Sequence, residues 1–324
     1  MKRKKISIVT PCYNEQDNLI DCYEAVKSVF ASQLPEYDLE HLFCDNASSD
    51  NSPTLLRDLA VRDERVKVIL NARNFGPFCS TFNGLMSTSG DAVVVLLAAD
   101  LQDPPEVIVD FVRRWEAGYQ IVYGIRQVRE EGFLLRNTRH VYYRAVTRLA
   151  HMPIPADVGE FQLIDRQVVE ALRQFDDHYP YIRGMIASCG FNSVGVEYTW
   201  RARRKGISKN RIFHLIDQGL NGLISFSKLP MRICMAAGFV LSGFSILFAG
   251  FAFCWHLFHT GSPVPPGTPT LIVALFFFSG VQLFFFGVIG EYISAIHSQV
   301  RKKPLVIEKG RFNFDRDEAT RKAA

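Results

Sequence analysis

Asp91-Ala92-Val93-Val94-Val95-Leu96-Leu97 runs directly into Ala98-Ala99-Asp100-Leu101-Gln102-Asp103-Pro104-Pro105-Glu106. The first seven residues are apolar and β-branched, the pattern of a buried strand. A carboxylate just past the C-terminal end of a buried parallel strand sits where open α/β sheets bind ligands. Asp100, Gln102 and Asp103 offer hard oxygen atoms, which suit a divalent cation carrying a nucleotide's phosphates. Pro104-Pro105 stops the strand and opens a helix, with Pro105 tolerated at the first helical position. An isolated D-x-x-D turn is more often an acidic helix cap. The rest of the chain reverses that weighting.

Upstream and downstream of this turn, short apolar runs alternate with helical stretches. Strands are expected at Ile6–Thr10, Leu39–Cys44, Val66–Leu70, Ala92–Leu97 and Ile121–Tyr123. Helices are expected at Gln16–Ser32, Ser52–Arg62, Phe78–Ser87 and Pro105–Ala117. That β-α-β-α order implies an α/β protein with a doubly wound, mostly parallel sheet. Residues 126–210 are less regular and rich in Arg and Tyr. Ile212, Leu215, Ile216, Leu220, Leu223 and Phe226 fall near helical spacing, so 211–229 reads either as an interfacial helix in the membrane plane or as a helix packed on the globular domain.

Hydrophobicity is unevenly spread: no Asp, Glu, Lys or Arg lies between Arg232 and Glu291. Two apolar runs fill that gap, Ile233–Phe258 and Leu271–Ile289. As helices they would be roughly 39 Å and 28 Å long, against a hydrocarbon core of about 30 Å. The Gly- and Pro-rich stretch His259–Pro269 breaks them apart, so the pair reads as a transmembrane hairpin rather than a buried soluble one. Arg and Lys cluster before the first run and at Arg301, Lys302 and Lys303, whereas the connecting loop has none, which puts both termini in the cytoplasm. The apolar run after Met1-Lys2-Arg3-Lys4-Lys5 is too short for a signal-peptide core. The expected organisation is a cytoplasmic domain over 1–210, a juxtamembrane helix over 211–231 and a hairpin over 232–298, its spans at about 233–258 and 271–293. A tail over 299–324 would cross the cytoplasmic surface and end disordered.

Seven scattered cysteines without a C-x-x-C pair argue against a zinc site or a disulfide framework. A net charge of +4 is too small to point to nucleic acid, and the basic cluster belongs to the membrane edge, where it meets anionic lipid. No P-loop and no G-x-G-x-x-G after the first strand is present, so phosphate handling falls to a metal ion with Arg and Lys. After the first strand, Pro11, Tyr13 and Glu15 lie at the ligand edge, where Tyr13 can pack on a base and Glu15 can accept from a ribose or base. Asp45 ends the second strand and can read the N–H of a uracil-like base; Asp50 or Ser52 is expected to cap the next helix.

Six segments stand in order: Val9–Glu15 (VTPCYNE), Asp45–Ser52 (DNASSDNS), Asn71–Leu85 (NARNFGPFCSTFNGL), Ala98–Glu106 (AADLQDPPE), Pro155–Arg166 (PADVGEFQLIDR) and Arg203–Arg211 (RRKGISKNR). Together they resemble family 2 glycosyltransferases, in the dolichol-phosphate mannose synthase-like branch that acts on polyprenyl phosphates. The two C-terminal spans, the Gly290-Glu291-Tyr292-Ile293 exit and Arg301-Lys302-Lys303-Pro304 also look like that branch. The resemblance covers nearly the whole chain. It implies a GT-A fold, a nucleotide-diphosphate sugar donor, Mg²⁺ or Mn²⁺, a lipid-phosphate acceptor and, as in some relatives, homo-oligomers. Carried over by motif, Pro11, Tyr13, Glu15 and Asp45 would hold the nucleoside, and Asp100 with Gln102 the metal and pyrophosphate. Asp157 would orient the acceptor or act as base, with Glu160 the neighbouring candidate. Arg203 and Lys209 would close over the pyrophosphate. The family usually shows D-A-D where this chain has Ala98-Ala99-Asp100, so the first carboxylate of the pair is missing.

The acceptor side follows from charge. A lipid phosphate can attack an anomeric carbon with little help from a base, but needs cations to guide it past the donor's phosphates. Arg126, Arg129, Arg136 and Arg139 follow the fifth strand, and Arg makes bidentate phosphate contacts. The expected activity is inverting transfer of one sugar from a nucleotide donor to undecaprenyl or dolichyl phosphate, by a multi-pass inner-membrane enzyme facing the cytoplasm. A processive synthase would carry Q-x-x-R-W and more spans. The rivals are a non-catalytic nucleotide- or lipid-binding membrane protein, for which Ala98 speaks, and a transferase with another lipid acceptor.

Overall fold

The computed structural model describes residues 3–126, 158–177, 180–201, 236–241, 243–244, 247, 268–301 and 303–314. In chain order the elements are β1 (Lys5–Cys12), α1 (Leu19–Gln33), β2 (Asp38–Asp45), α2 (Ser52–Arg62), β3 (Val66–Asn71), α3 (Pro77–Met86), β4 (Ala92–Val94), α4 (Val107–Glu116) and β5 (Ile121–Arg126). There follow β6 (Val158–Asp165), α5 (Arg166–Leu172), α6 (Ile182–Ser188), β7 (Ser193–Tyr198), α7 (Thr268–Val300) and β8 (Glu308–Phe312). Among the described residues the strands form one sheet in the order β7-β5-β6-β4-β1-β2-β3-β8.

The centre of the sheet is parallel, as the alternating pattern requires: β4, β1, β2 and β3 all run the same way. Its flanks are mixed. β6 is antiparallel to both β4 and β5, β7 is parallel to β5, and β8 is antiparallel to β3. These pairings decide where the site forms. The C-terminal ends of β1 to β5 and β7 and the N-terminal end of β6 meet along one edge.

Helices cover both faces. On one, Val26 and Phe30 of α1 and Phe111, Val112 and Trp115 of α4 bury against Ile6, Ile8, Val94 and Phe161. Next to them, Leu56 and Leu59 of α2 close over Phe43, Val66, Val68 and Leu70. On the other, α3 approaches so closely that a side chain at Gly84 would collide with Cys44 Sγ and stand 3.1 Å from Val9 Cγ1. Nothing larger than glycine fits there.

Three expectations are corrected. β1 does not break at Pro11 but runs to Cys12, opposite Asp45. Pro is tolerated there because the ladder with β4 has already ended at Ile8–Val94. The irregular segment after 126 supplies β6, α5, α6 and β7. The tail does not simply cross the surface: 308–312 pairs with β3, and Asn313 Nδ2 donates to the carbonyls of Ala60 (2.6 Å) and Val66 (2.8 Å).

Arg211–Lys302, with Arg148–His151, forms a second compact unit. Its described part includes α7, 33 residues long, on which Leu271, Leu275, Leu283, Phe284, Phe286, Ile293 and Val300 are exposed. The described residues of 236–247 are helical and expose Phe239, Val240, Phe244 and Leu247. Among the described residues no helix is long and apolar enough to cross a membrane. The juxtamembrane helix expected at 211–231 lies outside the described residues.

Candidate active site

The ligand edge is built from loops that hold one another. Asn14, at φ 52°, turns the chain after β1. Its backbone N–H donates to Ser48 Oγ (2.8 Å), and its Oδ1 accepts from the Ser49 N–H (2.7 Å). Glu15 N donates to Ser52 Oγ (3.1 Å), Gln16 N to Asp50 Oδ2 (3.2 Å), and Asn51 N to Gln16 Oε1 (3.0 Å). Asp50 and Ser52 therefore bind the β1 and β2 loops together. At the start of α2, Asp50 Oδ1 accepts the Ser52 N–H (3.0 Å), as expected of a cap, while Asn51 makes no side-chain cap bond. The result presents Tyr13, 37% exposed, beside Glu15, whose Oε2 accepts from Asn18 Nδ2 (2.6 Å).

Asp45 ends β2 at this edge and is buried. Its Oδ2 accepts from the Ser48 N–H (3.1 Å), while Oδ1 is buried with no hydrogen-bond partner. Burial pushes its carboxyl above the usual range against the hydrogen bonds from Ser48. A buried acceptor left unpaired is costly, and a ligand N–H would relieve it.

Sequence reading missed the asparagine cluster behind Asp45. Asn46 Oδ1 accepts from Asn71 Nδ2 (3.1 Å) and the Phe75 N–H (3.0 Å), and Asn46 Nδ2 donates to Asn74 Oδ1 (2.9 Å). Asn71 Nδ2 also donates to Ser80 Oγ (3.0 Å). These bonds shape 71–76 around Gly76, whose φ of 86° favours glycine. Clustered asparagines in a turn were the available signal, but their partners are set by strand order.

β4 ends at Val94, and an irregular segment carries the chain to Asp100. Leu97 N donates to the Val9 carbonyl (3.0 Å), and Leu101 turns with φ 55°. Asp100 Oδ1 accepts from the Gln102 N–H (3.2 Å). Asp103, read as a third oxygen ligand, is instead committed inside the protein: it is buried and accepts from Arg126 Nη2 (3.1 and 3.2 Å) and from the Tyr198 hydroxyl (2.5 Å). Arg126 does reach the ligand edge, but as that ion pair, with its guanidinium 5.2 Å from the Trp200 ring.

Glu160 stands at the start of β6 on the same edge, its carboxyl pushed up by burial while Arg183 and Arg126 act to lower it. Arg183 is a second residue that sequence reading missed. From the first turn of α6 it donates to the Val158 carbonyl (2.5 Å) and to the Tyr181 hydroxyl, so a cation stands beside the acidic end of β6. Nothing in the sequence sets it apart from the neighbouring arginines. Asp157, Arg129, Arg136, Arg139, Arg203 and Lys209 lie outside the described residues.

The donor set fits a divalent ion of one kind. Among the described residues no cluster of three His, Cys, Asp or Glu forms a complete cage. One carboxylate with an amide oxygen suits Mg²⁺ or Mn²⁺ shared with substrate phosphates, since such ions are held by one or two carboxylates plus the nucleotide.

Comparison with known proteins places this edge in context. The model of glycosyl transferase family 2 matches residues 7–173, and that of the GtrB C-terminal hairpin matches 229–296. An uncharacterized glycosyltransferase of Bacillus subtilis, YkcC, is 34% identical over 95% of this chain and 94% of its own. The SfII prophage-derived bactoprenol glucosyl transferase of Shigella flexneri is 34% identical over 94% of this chain and 97% of its own. Among solved structures, the mannosyltransferase PcManGT of Pyrobaculum calidifontis, in complex with GDP-Man and Mn²⁺, is 16% identical over 93% of this chain and 87% of its own, with a TM-score of 0.47.

Proposed function

The chain belongs to glycosyl transferase family 2, with the GT-A type α/β fold of that family, and from that premise we propose that it moves one sugar, with inversion, from a nucleotide-diphosphate sugar to a polyprenyl phosphate at the cytoplasmic membrane face. The observation that carries the reading is the 34% identity to a bactoprenol glucosyl transferase, which extends over 94% of this chain and so takes in the hairpin as well as the sheet edge. In that relative's name the acceptor is bactoprenol. The match of 229–296 to the GtrB hairpin and the exposed apolar face of α7 support a membrane setting.

In this reading Tyr13 and Glu15 take the nucleoside, and the unpartnered Asp45 oxygen accepts a base N–H. Asp100 with Gln102 holds Mg²⁺ or Mn²⁺ on the donor pyrophosphate; bound there, the ion would draw charge from the leaving nucleotide. Arg203 and Lys209 close over that pyrophosphate. Arg129, Arg136 and Arg139 serve the acceptor phosphate, and Arg126 reaches it only with the guanidinium edge that Asp103 leaves. Asp157, or Glu160 with its raised carboxyl, orients the acceptor.

The test is a panel of labelled nucleotide sugars with polyprenyl phosphate and purified protein, run with and without Mn²⁺. Wild type should form a lipid-linked sugar, and Asp100→Ala should abolish transfer while the protein still unfolds cooperatively. Near wild-type turnover by Asp100→Ala overturns the metal assignment. Transfer to no lipid phosphate overturns the acceptor.

A further inference from the structure

The turn that carries Asp100 is held from outside its own strand. β4 stops at Val94, so no ladder reaches it. Beyond the Leu97 N–H bond to the Val9 carbonyl and the buried Ala99 and Leu101, its side-chain ties run to the far flank of the sheet. Asp103 accepts the Tyr198 hydroxyl (2.5 Å) and two bonds from Arg126 Nη2, and Arg126 Nε donates to the same Tyr198 oxygen (3.1 Å). Three residues from three segments close a triangle largely shut away from water. Arg201 N adds a bond to the Gln102 carbonyl (2.9 Å), and Arg201 pairs with Glu106 at 3.5 Å.

The backbone makes room for this triangle. A Cβ at Gly124 would stand 2.6 Å from Tyr198 Cε1, so only glycine lets the ring lie across β5. A Cβ at Gly159 would stand 3.4 Å from Arg126 Nε, in ordinary contact. Arg126 neutralises Asp103, so Asp103 adds orientation rather than net charge to the edge. Its oxygens are aimed at Arg126 and Tyr198.

We propose that Asp103 is a positioning residue, and that with Arg126 and Tyr198 it fixes the 100–103 turn at the distance from the acceptor side that the reaction needs. The proposal rests on the reading that Asp100 holds the donor's cation. Small displacements of a reacting group are expensive, about 10²-fold in rate for 1 Å. A strut that crosses from the donor turn to β5 and β7 sets that displacement.

Tyr198→Phe decides it, because it removes one corner of the triangle, keeps the Asp103–Arg126 pair, and leaves Asp100, Gln102 and Asp103 in place. The experiment uses the full chain in lipid nanodiscs. Binding of UDP or GDP, whichever the wild type binds, is titrated with Mn²⁺ by calorimetry, and amide exchange is followed over 98–106. Tyr198→Phe should raise the Mn²⁺ concentration for half-maximal nucleotide binding about tenfold and speed exchange in 98–106. Asp103→Asn should shift it the same way, and the double variant should be no worse than the stronger single one, since the groups act as a unit. If Asp103→Asn fails to fold, Tyr198→Phe alone decides between the outcomes. Wild-type Mn²⁺ dependence and exchange in Tyr198→Phe overturn the proposal, as does a shift confined to the lipid KM. Asp100→Ala separates the two readings. If it keeps the wild-type Mn²⁺ response, the metal assignment has failed. If it loses that response while Tyr198→Phe does not, only the strut has.

Discussion

Two buried titratable side chains on one strand, β2, illustrate how residue-scale energetics divide between site and scaffold. Asp45 keeps an unpartnered oxygen at the ligand edge, and its carboxyl is pushed up by burial. Asp45→Asn should weaken nucleotide binding about 10- to 100-fold, the scale of one hydrogen bond to a charged group. Lipid KM should not move, and calorimetric titration of UDP or GDP checks it. His41, on β2, belongs to the scaffold: it is fully buried, stacks on Phe43 at 4.1 Å and shares a 2.9 Å bond with Thr10 Oγ1. Burial pulls its imidazole down to about 3. The unfolded chain takes a proton on this ring below its ordinary value of 6.5 and the folded chain does not. The stability His41 contributes is therefore full above that value and lost as pH falls from there toward about 3, at about 1.4 kcal/mol per pH unit in mid-range. His41→Gln can keep the Thr10 bond and should flatten that slope, which denaturant melts at pH 7.5, 5.5 and about 4.5 would measure. The place of Asp45 at the ligand edge was legible because it ends a strand. The role of Asp103 was not, because a carboxylate in a D-x-x-D turn looks the same whether it faces a metal or an arginine.

At the scale of elements, apolar periodicity located β1 to β5 and α1 to α4 within a few residues, because each is buried by local pattern. The flanks were illegible for a physical reason. β8 reads Glu308-Lys309-Gly310-Arg311-Phe312, a charged edge strand with little hydrophobic signal. Charge is what keeps such an edge from pairing with other chains. It is held by the β3 ladder, by Asn83 Nδ2 donating to Glu308 Oε1 (2.6 Å), and by Phe312 against the Val66–Leu70 cluster. Just before it, the Ile307 carbonyl accepts the Ala72 N–H (2.8 Å), next to the asparagine cluster. This strand thus supports the 71–76 loop from behind. Phe312→Ala should cost about 1–3 kcal/mol, less than the ~3–5 of a fully buried ring, because Phe312 is half-buried. Nucleotide binding should weaken with it as the support of 71–76 loosens. A variant with lower thermal stability but unchanged nucleotide affinity would show that β8 braces the sheet without bearing on nucleotide binding.

For the whole molecule, the decisive expectation is topological. The stretch from Arg232 to Glu291 carries no charged residue, and the Arg and Lys that bracket it lie on its two outer flanks. Moving even one Arg or Lys to the bilayer centre costs about 2.5–3.5 kcal/mol on insertion scales, so the charge-free stretch is where insertion is cheapest. Between the two apolar runs, the Pro- and Gly-rich turn carries no positive charge to hold it back from translocation. Both flanks should therefore stay in the cytoplasm while the turn crosses. A fluorescent protein that folds only in the cytoplasm should be active when fused at Ala324 and dark when fused after Pro265. Alkaline phosphatase, active only outside the cytoplasm, should give the reverse. Moving positive charge into the turn, as in Ser262→Arg with Thr268→Arg, should lower the phosphatase signal at Pro265, because translocation of that loop then opposes the charge bias. Fluorescence from the Pro265 fusion in the otherwise unaltered protein would mean that the hairpin does not cross the membrane. The acceptor lipid would then have to be met at the surface of the bilayer.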